Sequence, residues 1–300
     1  MSSENPDVLF SRLPFRFKSA DIIPDISLSL KSLPASKAKN VSLEKVIEIN
    51  SNSPVNKSNW VSLEVRNDSV QIGIKSDELP DFASFPSVEE KKQRFFAFLL
   101  PKIRKANERI RSERNTVKRL SASLTHTSDL SEEDLVSLNQ LRSKYKIKAQ
   151  SNIGDALRSL MLKIDEIPAS LVLAQSANES GWGTSRFATQ AKNMFGIWCF
   201  REGCGVKPLR REAGRKYEVA KYNTVEESVE AYMLNINSHR AYRELRNIRS
   251  TARATDNNLS GIALAEGLAA YSARGEQYVK EIKQLIRVNK LQRFNFNDKV

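Results

Sequence analysis

The chain is 300 residues long, 40% hydrophobic and 28% charged, an ordinary globular balance with length for one large domain or two modest ones. Two Cys and two His exclude a disulfide-dense scaffold, a Cys-rich zinc module and a His-rich metal centre. The longest apolar run, Phe95 to Leu100, ends at Pro101 and falls far short of the eighteen or so residues that a membrane span needs.

The net charge of +13 is uneven. Residues 1–100 hold 13 Lys/Arg against 13 Asp/Glu, whereas residues 101–300 hold 35 against 22. A basic half points to a polyanionic partner: nucleic acid, an acidic membrane face or an anionic cell-wall polymer.

In chain order, residues 1–35 are rich in Ser and Pro and read as a tail or loosely packed arm. Met1 to Pro14 lacks the basic start and apolar core of a secretory signal. Val61, Leu63 and Val65, then Val70, Ile72 and Ile74, alternate with polar residues around Asn67-Asp68 and predict a small hairpin. Ser87 caps a long helix predicted from about Val88 to Leu120, broken or kinked near Pro101. With 11 basic against 4 acidic residues over 88–120, it reads as a binding arm for an anionic polymer or as a solvated helix with a thin apolar stripe of Phe95, Leu99, Ile103 and Ile110.

Ser131 and an acidic first turn open a helix over Leu135 to Lys144. From Ile153 the helical signals are dense. A helix spans Asp155 to Lys163, and Pro168 takes the first position of the next. Gly196 to Tyr222 is Gly-rich with β-type alternation at Tyr217 and Val219. Thr224 to Glu227 form a capping box, and Tyr278, Ile282, Leu285 and Ile286 mark the last helix. His239 reads as a surface or capping residue. The fold class is α+β, mostly helical, with one β-rich insertion.

The chemistry concentrates at Leu171 to Ser185. Leu171, Gln175 and Glu179 share one helix face, which begins apolar and ends in a single carboxylate. Gly181 and Gly183 stop the helix, leaving Glu179 in its last turn. There the helix dipole disfavours the ionised carboxylate, and Trp182 nearby is expected to exclude water. A carboxylic acid held protonated near neutral pH is what protonating a glycosidic oxygen requires.

Ala174-Gln175-Ser176-Ala177-Asn178-Glu179-Ser180-Gly181-Trp182-Gly183, followed by Asn193-Met194-Phe195-Gly196, resembles the glucosaminidase family of bacterial peptidoglycan hydrolases, glycoside hydrolase family seventy-three. Within it, the chain is most similar to the Bax-type proteins of Gram-negative bacteria. Glu90 to Phe96, Leu99 to Pro101, Lys144 to Lys146, Ile167-Pro168 and Leu268 to Tyr271 belong to the same resemblance, which covers roughly residues 80–290.

The resemblance implies a lysozyme-like catalytic domain over 151–291 carrying the small β-rich insertion. A poorly defined arm over 1–80 and a basic helical region over 81–150 precede it, and a tail over 292–300 follows. Glu179 matches the family's general acid, for cleavage of the β-1,4 bond between N-acetylglucosamine and N-acetylmuramic acid. Gln175, Trp182, Asn193, Phe195 and Tyr278 are expected to bind substrate, with core packing an equal reading for Phe195. Tyr271 matches the tyrosine beside the reacting sugar.

The base or nucleophile is expected in the insertion, at Glu212 in preference to Glu218, whose strand alternation allows it to face solvent. Substrate assistance by the 2-acetamido group is the alternative to both. Cys199 and Cys204 are expected to pair in a disulfide, with two free thiols as the alternative. No metal site and no cofactor are implied.

The expected partners are peptidoglycan glycan strands and an anionic wall polymer, with no specific nucleic acid and no membrane span. The expected location is the periplasm or cell envelope. The rival readings are a lytic transglycosylase and a non-catalytic basic protein that binds polyanions or cell wall.

Overall fold

The computed structural model describes residues 64–66, 69–71, 78–127, 129–209, 211, 214–255 and 258–295. Two short strands, β1 (Glu64–Arg66) and β2 (Ser69–Gln71), pair antiparallel within the stretch of alternation noted above. One apolar core cluster draws its members from Phe82 to Leu291.

That core is built along α1 (Val88–Thr127), whose forty residues extend for about 60 Å. The helix runs unbroken through Pro101 and seven residues past the expected end. A proline inside a helix removes one hydrogen bond and crowds the preceding turn, at about 3 kcal/mol. Burial of Phe95, Phe98 and Leu99 before it and of Ile103 and Ala106 after it offsets that cost. Ser87 Oγ accepts the Glu90 amide at 3.0 Å, the expected cap.

The apolar face of α1 is therefore wide rather than thin, and its basic face is not an empty arm. Arg109 pairs with Glu226 and Glu230, Lys105 with Glu226, Arg111 with Glu166 and Arg119 with Asp134. Arg114 donates to the carbonyls of Met161 and Ile164. These arginines fasten α1 to the rest of the fold.

Helices α2 (Glu132–Lys144) and α3 (Ile153–Lys163) are capped by Ser131 and Asn152 and pack on α1. The turn from α3 into α4 (Ala169–Ser180) is held by buried charge. Arg249, 1% exposed, donates to the carbonyls of Leu162, Lys163, Asp165 and Glu166 and to Asn237 Oδ1. Arg253 grips the Asp165 carboxylate through Nε at 3.2 Å and Nη2 at 2.9 Å. Asn107 on α1 both donates to the carbonyl and accepts from the amide of Ile167. Pro168 is the residue before α4, one position earlier than expected. Every residue of α4 from Ala169 to Ala177 is buried, so the helix is the central strut of the domain.

After α5 (Arg186–Ala191) the chain forms a three-stranded antiparallel sheet in the order β3 (Trp198–Cys199), β5 (Glu218–Ala220), β4 (Gly205–Val206). Trp198 lies opposite Val219, and Gly205 opposite Ala220. Helix α6 (Val225–Ser238) starts at Thr224, whose Oγ1 accepts the Glu227 amide at 3.1 Å. The returning Glu227 carboxylate takes the amide of Asn223, one residue before the expected one.

His239 ends α6 and caps the short turn Arg240–Tyr242 through Nδ1; it is buried rather than on the surface. Helices α7 (Arg243–Ala254), α8 (Gly261–Leu264) and α9 (Glu276–Val288) complete a mostly helical fold with one small sheet. Among the described residues, no helix is long and apolar enough to cross a membrane.

Candidate active site

Helix α4 delivers Glu179 from its last turn. Gly181 closes the helix in the left-handed region at φ 57°, as its position in the sequence suggests. Trp182 and Gly183 follow at φ 59° and 80°. A β-carbon on Gly183 would stand 2.3 Å from the Phe82 ring, so only glycine fits there.

The left-handed backbone turns Trp182 toward α1, where its ring meets Phe95 and Phe96 edge-on at 5.5 and 5.6 Å. Lys92 Nζ lies 5.3 Å from the same ring. Trp182 thus locks the end of α4 to α1. The groups that surround Glu179 are different ones.

They are tyrosines. Tyr232 from α6, Tyr242 from the turn after it, Tyr271 and Tyr278 of α9 all interact electrostatically with the Glu179 carboxylate. Burial in this aromatic nest pushes the Glu179 pKa above the ordinary carboxyl value. Hydrogen bonds from Tyr278 and Asn178 oppose the shift in part, as does the charge of Arg274, and Glu281 adds to it. Asn178 Nδ2 donates to Glu179 Oε1 at 3.2 Å. The same burial pushes the phenols up, so Tyr271 and Tyr278 remain neutral hydroxyls.

The Asn193 to Gly196 segment forms the turn beside the carboxylate. Asn193 is buried, and its Oδ1 accepts the amides of Phe195 at 3.3 Å and Ile197 at 3.1 Å. Its Nδ2 donates to the carbonyls of Ile197 at 2.9 Å and Ala220 at 2.8 Å, fastening the turn to the sheet. The Phe195 ring stacks on Tyr232 at 4.1 Å, and its carbonyl accepts from the Tyr271 hydroxyl at 2.9 Å. Gly196, at φ 64°, then brings bare backbone alongside Glu179.

Of the residues singled out by sequence, Glu179, Gln175, Asn193, Phe195, Tyr271 and Tyr278 converge here. Gln175, Asn193, Phe195 and Tyr278 are buried with protein partners, so they shape the site from behind instead of lining its surface. Glu179 and Tyr271 are half-buried. Tyr232 and Tyr242 were not among the expected site residues. By its spacing with Val225, Val229 and Ile236, Tyr232 reads as one more apolar residue on the α6 face.

Glu218 is not solvent-facing. It is 1% exposed and accepts the Gly205 amide at 2.8 Å. That bond first, and Gly203, Lys207 and Arg211 after it, pull its pKa below the ordinary value. This carboxylate holds strand β4 to β5. Glu212 lies outside the described residues. Cys199 and Cys204 are joined by a disulfide that ties the end of β3 to the start of β4, with Cα atoms 6.2 Å apart. Glu218 sits against it, and with both sulfurs bonded to each other this trio offers no thiolate to a metal.

Residues 154–291 match the glucosaminidase family, described as mannosyl-glycoprotein endo-beta-N-acetylglucosaminidase. The chain is similar to Protein bax of Escherichia coli (strain K12), 32% identical over 205 residues, which is 68% of this chain and 72% of that protein. It also aligns with the crystal structure of the catalytic domain of the autolysin Auto from Listeria monocytogenes, over 71% of this chain and 92% of that one, at 16% identity and a TM-score of 0.37.

Proposed function

The chain belongs to the glucosaminidase family of peptidoglycan hydrolases, and on that premise we propose that it cleaves the β-1,4 bond between N-acetylglucosamine and N-acetylmuramic acid, with Glu179 as general acid. One observation carries the reading. Glu179 is half-buried at the end of a rigid central helix, in a nest of phenols that favours its neutral form. A protonated carboxyl at working pH can hand its proton to the departing glycosidic oxygen.

Tyr271 has a complementary part. Its hydroxyl hydrogen is given to the Phe195 carbonyl, which leaves its lone pairs to accept the N–H of an acetamido group. With the Glu218 carboxylate occupied by strand amides, Glu212 is the chain's own candidate base. The substrate's 2-acetamido group is the alternative nucleophile. A location in the cell envelope accords with the family and with a disulfide suited to an oxidising compartment.

Digestion of purified peptidoglycan, followed by mass spectrometry of the released fragments, tests the reading. Reducing N-acetylglucosamine ends are expected. Anhydro-muramic ends would move the protein to the lytic transglycosylases, and release of nothing by the wild type would leave a wall-binding protein.

A further inference from the structure

Gln175 is wholly buried, and both ends of its amide are engaged. Its Oε1 accepts from the Tyr232 hydroxyl, and its Nε2 donates to Tyr278 Oη at 2.9 Å. A phenol has one hydrogen to give. Because the Tyr278 oxygen already receives a hydrogen from Gln175, its own hydrogen goes to its remaining partner, Glu179.

The chain of bonds closes on itself. Tyr278 stacks on Tyr271 with centroids 5.4 Å apart and planes 6° from parallel. Tyr271 donates to the Phe195 carbonyl, and the Phe195 ring stacks on Tyr232, which donates to Gln175. Turning any one member breaks a contact made by the next.

We propose that Gln175 is a positioning residue: by donating to Tyr278 it obliges Tyr278 to donate to Glu179, which keeps the acid proton on the carboxyl oxygen not bound by Tyr278, free for the substrate. This rests on the reading of Glu179 as general acid. Without Gln175, the Tyr278 oxygen becomes an acceptor that the Glu179 proton can turn toward, away from the sugar. The other groups facing Glu179 are Asn178, Tyr232, Tyr242, Tyr271, Arg274 and Glu281, and of these Tyr232 is hydrogen-bonded to Gln175.

The test compares Gln175→Met, which keeps the volume and removes both links, with Tyr278→Phe and the double variant. Carbon-13 NMR of carboxyl-labelled glutamate, with the Glu179 signal assigned by its loss in Glu179→Gln, follows the acid in the full chain without substrate. In Gln175→Met the Glu179 titration should move to higher pH, because a donor to the carboxylate is no longer enforced.

On soluble muropeptides kcat should fall about tenfold, the cost of one misdirected hydrogen bond, with KM nearly unchanged and the alkaline limb of the kcat profile moved upward. The double variant should lose no more than Tyr278→Phe alone. A folded Gln175→Met with unmoved Glu179 titration and unmoved alkaline limb overturns the proposal, as do additive losses. Should Gln175→Met fail to fold, Tyr232→Phe loosens the same chain from its far end while keeping the ring stack, and is judged by the same two readouts. If the wild type turns nothing over, the general-acid reading fails, while the NMR titration still decides whether Gln175 directs the Tyr278 hydrogen.

Discussion

A β-carbon placed on Gly196 would stand 4.0 Å from Glu179 Oε2, so the turn passes the carboxyl with nothing but backbone between them. Gly196 holds φ 64°, a conformation that costs an alanine roughly 1 kcal/mol or more. Gly196→Ala should lower the melting temperature by several degrees and add a methyl beside the acid. Its kcat/KM on muropeptides should drop at least tenfold, a larger loss than the stability change alone explains; unchanged turnover would separate this turn from the chemistry.

Glu179→Gln preserves shape and removes the transferable proton. The loss in kcat should be at least 10²–10⁴-fold, the usual worth of general acid catalysis. The stability effect has the opposite sign. A carboxyl whose folded pKa is raised stabilises the fold below its unfolded pKa and loses that contribution as pH rises through the folded pKa. Glu179→Gln should therefore melt higher than the wild type at neutral pH, with the two curves meeting near pH 4. An equal melting temperature across that range would mean that the nest of tyrosines does not penalise the ionised form.

Asp165 behaves the other way. Although burial by itself works against ionisation, the Arg253 bond and the charges of Arg249, Arg114 and Arg253 hold its pKa below the ordinary carboxylate value. Its contribution is present above the unfolded pKa and is lost as pH falls through the folded one. Asp165→Asn leaves buried guanidinium groups without a counter-charge and should cost about 3–5 kcal/mol at pH 7, less in acid. Arg109→Gln, on the exposed α1–α6 pairs, should cost under about 1 kcal/mol. Denaturant titration of both variants at pH 7 and pH 4 measures the contrast.

Opening the Cys199–Cys204 disulfide should release the edge of the small sheet while leaving the helices intact. The loop it closes is short, and the chain-entropy estimate for such a loop is about 2 kcal/mol. The Cys199→Ser, Cys204→Ser double variant should show faster proteolysis between residues 200 and 217 and little change in helical circular dichroism. Peptide mapping without reductant checks that the bond forms in protein taken from the cell envelope.

Much of this molecule could be read along the chain. Local signals act over a few residues, so the caps at Ser87, Ser131 and Thr224, the stop at Gly181 and the face shared by Leu171, Gln175 and Glu179 were legible. The family follows from one contiguous motif and its partner near Asn193, and Glu179 is the carboxylate which that motif singles out.

What the tertiary structure alone decided depends on residues far apart in sequence. Pro101 reads as a break, but burial on both sides of it keeps α1 continuous. The basic residues of α1 read as free charge, but their partners are Asp165, Glu166, Glu226 and Glu230, up to 121 residues away. Glu218 alternates like a surface strand residue, and its burial follows from the pairing of β4 with β5. Trp182 sits three residues from Glu179, but a left-handed backbone turns its ring onto Phe95 and Phe96 of α1. The pKa of Glu179 is raised by burial at a site to which tyrosines 53 to 99 positions downstream are brought, which no local window could assemble, because desolvation is a property of what packs around a group and not of what precedes it in the chain.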